Sequence, residues 1–486
     1  MLFLAAILLA ALALRVYGLG SESIWLDEAT SIVQARMDIP HLVQSTAVDI
    51  HPPLYYVILH FWLVIGDGAL QVRLLSVMVG VASVAVLYLL ARRLFGRQVA
   101  IAASMLLAFS PLHVWYSQET RMYTMLALFA LVTSYCMVRA LLDGKRWAWI
   151  AYVLFSICSL YTHYYAFFVL LFQDCFVLYL AWRGHIQRRM FRPWVVAQVV
   201  TALAFTPWLP VLLNQVRSGG GAWVERAGVP GVQALVTTAT TFTLGPDARW
   251  YPSALRRLAY AVFGLLFVIG SVSALSRPRK TMGVVFSLMY LVLPLGAAWM
   301  ISQVKPLYNL RYLLPFLPAY YILIGQGLET LLGSTLAVGR AMRGWLWALA
   351  PAGLAVIGLV GIVGSATHEQ QPDWRGIASY VVDEAQADDI VIFVPGWNDK
   401  PFDYYTHSRV ALLGTGKVPL PITEQNVVEL VDAARQGRQR VWLVQTDGHY
   451  ADPQYLLRTY LDNTFTRLDR RPFRDNITVS LYRIAP

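Results

Sequence analysis

Charge is scarce in this sequence. Only 14% of its 486 residues are Asp, Glu, Lys or Arg, where soluble domains run nearer a quarter, so an ordinary soluble globular chain is excluded. Cysteine is scarcer still. Cys136, Cys158 and Cys175 each lie inside an apolar run, so they read as small buried hydrophobes, and neither a disulfide framework nor a thiolate metal site is expected. Acidic residues are outnumbered 28 to 39 by basic ones, leaving a net charge of +11. That excess would suggest nucleic acid in a soluble protein. Here no patch interleaves aromatic and basic side chains as a single strand requires, and nucleic acid is not an expected partner. There is no internal repeat and no low-complexity tract. A secretory signal should open with a basic region, yet nothing basic precedes Arg15. Residues 1–20 are therefore expected to be a retained first helix rather than a cleaved leader.

What the chain has in abundance is apolar residues, 57% of the total, gathered into runs near the roughly 20 residues that a helix needs to span a bilayer. Expected spans fall at about 1–20, 71–91, 98–114, 122–142, 147–163, 164–182, 194–214, 257–275, 282–301, 312–332 and 344–364. The fold class is thus an all-α polytopic membrane protein of about eleven transmembrane helices. Residues 54–66 (LYYVILHFWLVIG) are apolar but short, and such runs more often lie along the interface or re-enter than cross. With that segment not crossing, the loops alternate. One side receives Arg92, Arg93, Arg97, Lys145, Arg146, Arg183, Arg188, Arg189, Arg192, Arg277, Arg279, Lys280, Arg340 and Arg343. The positive-inside rule assigns this side to the cytoplasm. The first loop on the other side carries Asp27, Glu28, Asp38, Asp49 and Asp67. Residues 215–256 also fall outside. They hold Arg217, Arg226, Arg249 and Arg256 around Gly219-Gly220-Gly221, but a long loop constrains orientation less than a short one.

Composition changes near residue 366. Two domains are expected: 1–365, in the membrane, and 366–486, polar and extracytoplasmic. Residues 374–386 and 424–435 read as helices, and 390–394, 441–445 and 477–484 as strands. The alternation suggests a small α/β domain.

Three outer clusters carry chemistry. The first is Trp25-Leu26-Asp27-Glu28-Ala29. Acids at a helix start favour its dipole, and a carboxylate there can also accept the proton of an attacking hydroxyl. The second is Asp49-Ile50-His51-Pro52-Pro53-Leu54-Tyr55-Tyr56, a loop-to-helix junction that would set Asp49, His51 and Tyr55 beside a sugar or phosphate. The third is Ser110-Pro111-Leu112-His113-Val114-Trp115-Tyr116-Ser117-Gln118-Glu119-Thr120-Arg121-Met122-Tyr123. In one helix, Tyr116, Glu119 and Tyr123 would share a face, while Arg121 would reach toward headgroups. Tyr161-Thr162-His163-Tyr164-Tyr165 lies on the same side, where interfacial aromatics are ordinary and His163 is the informative member. Lys305-Pro306-Leu307-Tyr308-Asn309-Leu310-Arg311-Tyr312 sets two cations in a short outer loop, against the orientation rule. A lipid phosphate explains them, because Arg grips phosphate oxygens with a planar fork.

Together, WLDEA, HPPLYY, RLLSVMVGVASVAVLYLLARRLFGR, SPLHVWYSQETRMY and RYLLPFLP resemble the GT-C superfamily of integral-membrane glycosyltransferases. The likeness covers roughly residues 10–330 and points to the protein O-mannosyltransferase family (glycosyltransferase family 39) and its bacterial members, including the lipid A aminoarabinose transferases. It implies a GT-C fold in the bacterial inner membrane and a sugar donor carried on a polyprenyl phosphate. It also implies that Asp27 is the catalytic acid of the first outer loop and Glu28 the second acid of that motif. The sugar would be mannose, another hexose or a pentose. The acceptor would be a glycan, a lipid or a protein. In the O-mannosyltransferases glycine and lysine usually follow HPP, whereas Leu54-Tyr55-Tyr56 follow here, and the eukaryotic central-loop domain is missing. Some members of the superfamily bind a divalent metal near these acids. The sequence carries no ligand set of diagnostic spacing, so a metal is left open, with Asp27 and Glu28 as its candidate ligands.

The expected reaction is inverting transfer with Asp27 as general base. Arg311, with Lys305 or Arg121, holds the phosphate, and His51, Glu119 and Tyr123 orient the sugar. Asp49, Tyr55, His163, Tyr164 and Tyr312 complete the candidate site. The alternative is a transporter or flippase of lipid-linked sugars. Such proteins usually set ionisable groups near the midplane and often carry inverted repeats.

Overall fold

The computed structural model describes residues 2–186, 188–218, 228–276, 280–334, 340–367, 371–414 and 416–484. Gly219-Gly220-Gly221, Arg226, Arg277 and Arg279 lie outside the described residues. The chain divides into two compact units. One comprises Met1–Leu19 with Gln34–His368, and the other Gly20–Val33 with Glu369–Pro486.

The first unit is helical, and a helix stands at each of the eleven expected places. Six helices among the described residues are long and apolar enough to cross a membrane: Ala69–Phe95, Tyr123–Asp143, Met190–Arg217, Ser253–Ser273, Thr281–Ile301 and Leu349–Ala366. This is a multi-pass membrane protein. The count by length falls below eleven because several of the expected spans are short helices. α1 (Leu2–Val16) and the helix Arg146–Leu160 have 15 residues each. At about 1.5 Å per residue these rise about 22 Å, against a hydrocarbon core of about 30 Å. The apolar stretch after the first loop forms a helix over Leu54–Trp62 and a single turn over Leu63–Ile65, about 18 Å in all, too short to cross.

The expected span at 98–114 is broken. Helices Arg97–Ala108 and Pro111–Ser117 meet at a bend of 58°. Proline at 111 forces Ser110 out of helical backbone, and Ser110 sits extended, its hydroxyl accepting from His113 N at 3.2 Å. Elsewhere two helices cross on glycine. A Cβ on Gly270 would fall 1.9 Å from Leu323 O, and one on Gly327 would fall 1.9 Å from Leu266 O. Small residues at such a crossing let helix backbones touch inside a membrane.

The second unit is a five-stranded sheet in the order β2-β1-β3-β5-β4, with β1 Ile390–Val394, β2 Ala411–Leu413, β3 Arg440–Thr446, β4 Thr466–Phe473 and β5 Ile477–Arg483. β1 pairs in parallel with β2 and β3, while β5 runs antiparallel to β3 and β4. Side chains alternate across β1. Ile390, Ile392 and Val394 pack with Val427, Leu430 and Val431 of helix Glu424–Arg435. Val391 and Phe393 pack on the other face with Ile377 and Val381 of helix Trp374–Glu384. The unit is therefore three-layered α/β. β4 is an exposed edge strand carrying Arg467, Arg470, Arg471 and Pro472, residue types that discourage pairing with another chain.

Gly20–Val33, expected in the first domain, belongs to this second unit. Hydrogen bonds hold it there. Ile24 N donates to Tyr405 Oη at 2.7 Å, Gln371 N to Glu22 Oε2 at 3.0 Å and Arg375 N to Ser23 Oγ at 3.2 Å. The Arg375 guanidinium reaches Gly20 O at 3.1 Å and Ser21 O at 3.5 Å. Nothing local in the sequence of residues 20–33 announces these long-range partners.

Candidate active site

In the membrane unit, four separate stretches bring their polar side chains to one buried place. His51 lies in the turn before helix Leu54–Trp62, whose first N–H donates to Tyr161 O at 2.9 Å. That bond ties the His51 turn to the turn at 161–165, which carries His163. The two imidazoles sit 4.9 Å apart, centroid to centroid. Tyr312 lies between the contributing stretches, its ring 4.6 Å from His163, 5.3 Å from Tyr165, 5.9 Å from Tyr123 and 6.0 Å from His51. Asn309 begins the short helix Leu310–Phe316 by accepting from Arg311 N at 3.2 Å, and Tyr165 Oη donates to Leu307 O at 2.8 Å. Arg311 is thereby presented to Tyr123, whose phenol oxygen it approaches at 3.4 Å. The Arg121 guanidinium stands 5.7 Å from the Tyr123 ring, within cation–π range. Glu119 is buried and accepts from Trp115 Nε1 at 2.8 Å.

The expected single helix through Tyr116, Glu119 and Tyr123 is not formed. Helix Pro111–Ser117 ends, and the next begins at Tyr123. The rings of Tyr116 and Tyr123 nevertheless meet at 5.4 Å, because the break folds the chain back.

Burial beside two cations sets the protonation of the imidazoles. His163 is pushed down to about 3, by burial first and then by Arg121 and Arg311. His51 is pushed well below its usual range by burial, then by His163, Arg121 and Arg311. Both are neutral at pH 7. Tyr165 N donates to Nδ1 of His163 at 3.1 Å, so the ring proton resides on Nε2. That nitrogen is buried and has no hydrogen-bond partner among the described residues. It is a donor available to a bound oxygen.

The neutral imidazoles also make acid sensitivity predictable. An unfolded histidine takes up a proton below about 6.5, whereas folded His163 does so only near 3. Between these values the unfolded state binds more protons, so stability is lost as the pH falls through the window. Thermal unfolding of the detergent-solubilised protein from pH 7 to 4 is expected to show a steeper decline in wild type than in His163→Gln. Parallel curves would contradict this.

A residue that sequence reading passed over braces the third cluster. Arg15, at the end of α1, is fully buried. Its guanidinium donates to Ala11 O at 2.9 Å, Ala108 O at 3.1 Å, Leu107 O at 3.2 Å, Ser117 Oγ at 3.2 Å and His113 Nδ1 at 2.9 Å. The carbonyls of 107 and 108 end a helix and carry partial negative charge, which offsets the buried cation. Gly80 leaves room for the arrangement, since a Cβ there would fall 2.3 Å from Ser117 Oγ and 3.1 Å from Arg15 Nε. Gln118 Nε2 donates to Arg15 O at 3.1 Å and to Tyr17 O at 2.8 Å, fixing the start of the segment that bears Glu119 and Arg121. Arg15→Met removes these bonds and strands buried carbonyls at about 1–3 kcal/mol each. A loss of about 3 kcal/mol or more and a visibly lower Tm are expected, and an unchanged Tm would refute the brace.

Several expected site residues have other partners. Lys305 Nζ donates to Val216 O at 3.0 Å. Tyr164 Oη donates to Gln215 Oε1 at 2.5 Å and accepts from Trp208 Nε1 at 3.0 Å. Asp49 accepts from Gln34 Nε2 at 3.1 Å and from Ile50 N at 2.8 Å. Tyr55 is buried edge-on to Tyr56, their centroids 5.7 Å apart.

Asp27 and Glu28 belong to the other unit. Both stand in the first turn of helix Leu26–Arg36, Asp27 half-buried and Glu28 fully buried. Asp27 O accepts from Ser31 Oγ at 3.0 Å, closing that turn. Among the described residues, no three acidic, histidine or cysteine side chains gather as a metal site would require. No ligand set is therefore assigned to Asp27 and Glu28.

Residues 50–213 match the family model of dolichyl-phosphate-mannose-protein mannosyltransferases. No curated protein sequence matches. Among solved structures, ArnT from Cupriavidus metallidurans in the apo state is 14% identical. The match covers 98% of this chain and 97% of that one, with a TM-score of 0.62. The same protein bound to undecaprenyl phosphate gives 0.59 at the same identity and coverage. The archaeal oligosaccharyltransferase AglB from Archaeoglobus fulgidus, in complex with an inhibitory peptide and a dolichol-phosphate, is 11% identical. That match covers 91% of this chain and 69% of that one, with a TM-score of 0.59. At such identities the likeness is one of fold, shared with ArnT and AglB over nine-tenths or more of this chain.

Proposed function

We propose that this protein is a glycosyltransferase of the bacterial cytoplasmic membrane that takes a sugar from a polyprenyl-phosphate carrier and passes it, with inversion, to an acceptor hydroxyl on the extracytoplasmic side. The observation that carries the reading is the buried cluster in the membrane unit. Two guanidinium groups, Arg121 and Arg311, stand beside neutral His51 and His163 and the ring of Tyr123. Such a place suits an anion with hydroxyl groups attached. The matched family stretch contains His51, Glu119, Arg121, Tyr123 and His163. Two of the solved structures that share the fold hold undecaprenyl phosphate and a dolichol-phosphate, which are lipid phosphates of the proposed kind.

The chemistry follows from charge. Breaking the bond between sugar and phosphate leaves negative charge on the carrier phosphate. Arg311 and Arg121 offset it, which is worth most in a site closed to water. Nε2–H of His163 and the carboxylate of Glu119 orient the sugar hydroxyls. Asp27 accepts the proton of the attacking hydroxyl, and attack opposite the departing phosphate inverts the anomeric centre. The sugar is mannose, another hexose or a pentose. Basic loops such as Arg92-Arg93, Lys145-Arg146 and Arg183 face the cytoplasm under the positive-inside rule. Residues 369–486, with 20–33, form the extracytoplasmic domain.

The deciding experiment supplies purified protein with radiolabelled sugars on polyprenyl phosphate and follows label into acceptor. Covalent transfer is the expected result. Movement of the intact lipid-linked sugar across vesicles without transfer would instead identify a flippase.

A further inference from the structure

Three of the stretches that meet at the buried cluster are tied to two consecutive residues, Gln215 and Val216, to which the transfer reading gives no part. Both lie in helix Leu209–Arg217, at the end of the long apolar stretch Met190–Arg217. Gln215 is 7% exposed. A buried amide is costly unless it is hydrogen-bonded, so its partners are informative.

The amide nitrogen serves the first stretch. Helix Ile39–Val48 ends with Asp49 in extended backbone, and the last carbonyls of a helix have no partner within it. Gln215 Nε2 donates to Thr46 O at 3.1 Å, Ala47 O at 3.1 Å and Asp49 O at 2.5 Å. These bonds fix how the chain leaves the helix on its way to His51. The amide oxygen serves the second stretch. It accepts from Tyr164 Oη at 2.5 Å, and Tyr164 Oη accepts in turn from Trp208 Nε1 at 3.0 Å. Trp208 stands in the turn just before the same helix, so that segment grips Tyr164 at two points. The residue before Tyr164 is His163. Val216 serves the third stretch, its carbonyl accepting from Lys305 Nζ at 3.0 Å. Lys305 opens the segment that carries Arg311.

The His51 turn and the 161–165 turn are also joined directly, through Leu54 N and Tyr161 O. One such bond lets two turns pivot about it. The Gln215 amide adds a second connection, and two connections fix a relative orientation. A leucine would fill much the same space, but hydrogen bonds are directional and apolar contacts are not.

We propose that Gln215 is a positioning residue that sets the separation and orientation of the His51 and His163 imidazoles. That these rings face a sugar rests on the transferase reading, whereas their geometry does not. The test uses full-length protein in detergent with isotope-labelled histidine, and the variants Gln215→Leu and Tyr164→Phe. The magnetic-resonance signals of His51 and His163, assigned with His51→Gln and His163→Gln, are expected to move in both variants. The signal of His407, in the α/β unit, should stay in place. In the transfer assay Gln215→Leu is expected to lower kcat about tenfold to a hundredfold, the cost of misplacing a reacting group by about 1 Å, with donor KM nearly unchanged. Tyr164→Phe removes fewer bonds and should lower kcat less. The double variant should be no slower than Gln215→Leu alone, because both changes break one connection. Thermal unfolding verifies that each variant is folded, and Tyr164→Phe decides alone where Gln215→Leu does not fold. Unmoved histidine signals in the folded variants, or wild-type kcat in Gln215→Leu, overturn the positioning role. So does a donor KM that rises while kcat holds. Moved histidine signals in a protein that transfers sugar from no polyprenyl phosphate support the role of Gln215 and sink the transferase reading.

Discussion

Asp27→Asn is expected to lower kcat of sugar transfer by about a hundredfold to ten-thousandfold, the range that a positioned general base contributes. The substitution keeps size and shape and removes the ability to take a proton. Asp27 is half-buried in the first turn of its helix, where its backbone carbonyl accepts from Ser31 Oγ, a bond that the substitution leaves in place. The asparagine should therefore fold and insert as the wild type does, with donor KM nearly unchanged. Glu28→Gln makes the necessary contrast. Glu28 is fully buried, so its loss is expected to show in thermal unfolding as well as in rate. Full transfer activity in Asp27→Asn would remove that residue from the mechanism and leave the rest of the proposal without a base.

The second large effect concerns the lipid phosphate. Arg311→Ala is expected to raise the donor KM by about ten- to a hundredfold, because hydrogen bonds to charged groups contribute about 1.5–3 kcal/mol each. Acceptor KM should move little. Arg311→Lys should recover only part of the loss, since an ammonium grips phosphate at a point where guanidinium uses a fork. Arg121→Ala should act in the same direction. The two arginines both depress the same imidazole, His163. A double variant is therefore expected to depart from additivity, as neighbours sharing a partner do. Donor KM values equal to wild type in both single variants would show that the carrier phosphate is held elsewhere.

How much of this was legible beforehand can be judged from particular residues. His51, Arg121, Tyr123, His163, Arg311 and Tyr312 stood out as polar groups clustered at helix ends in an otherwise apolar chain, and the structure brings them together. Lys305, Tyr164 and Asp49 stood out for the same reason and have other partners. Spacing along the chain cannot tell the two groups apart, because the deciding partners lie on other stretches: Val216 for Lys305, Gln215 for Tyr164, Tyr312 for His51 and His163. Arg15 was missed because an arginine at the end of an apolar helix reads as an interfacial anchor. It became visible only when the helix break at Ser110-Pro111 turned two carbonyls toward it. In the α/β unit, β1 and β3 were plain as buried apolar runs. β2, with three residues, and β4, exposed along almost its whole length, lack the alternation that marks a half-buried strand.

The amino-acid order by itself determined that this is a membrane protein with many helices, where its polar tail begins, and which loops are basic. Those properties depend on transferring local stretches of chain from water to lipid, and each stretch carries its own transfer energy. Tertiary structure alone decided which polar residues meet. It also decided that Gly20–Val33 packs with the distant α/β unit, and that a buried arginine braces a broken helix. These are matters of long-range packing and hydrogen bonding, whose energy belongs to pairs of residues far apart in sequence.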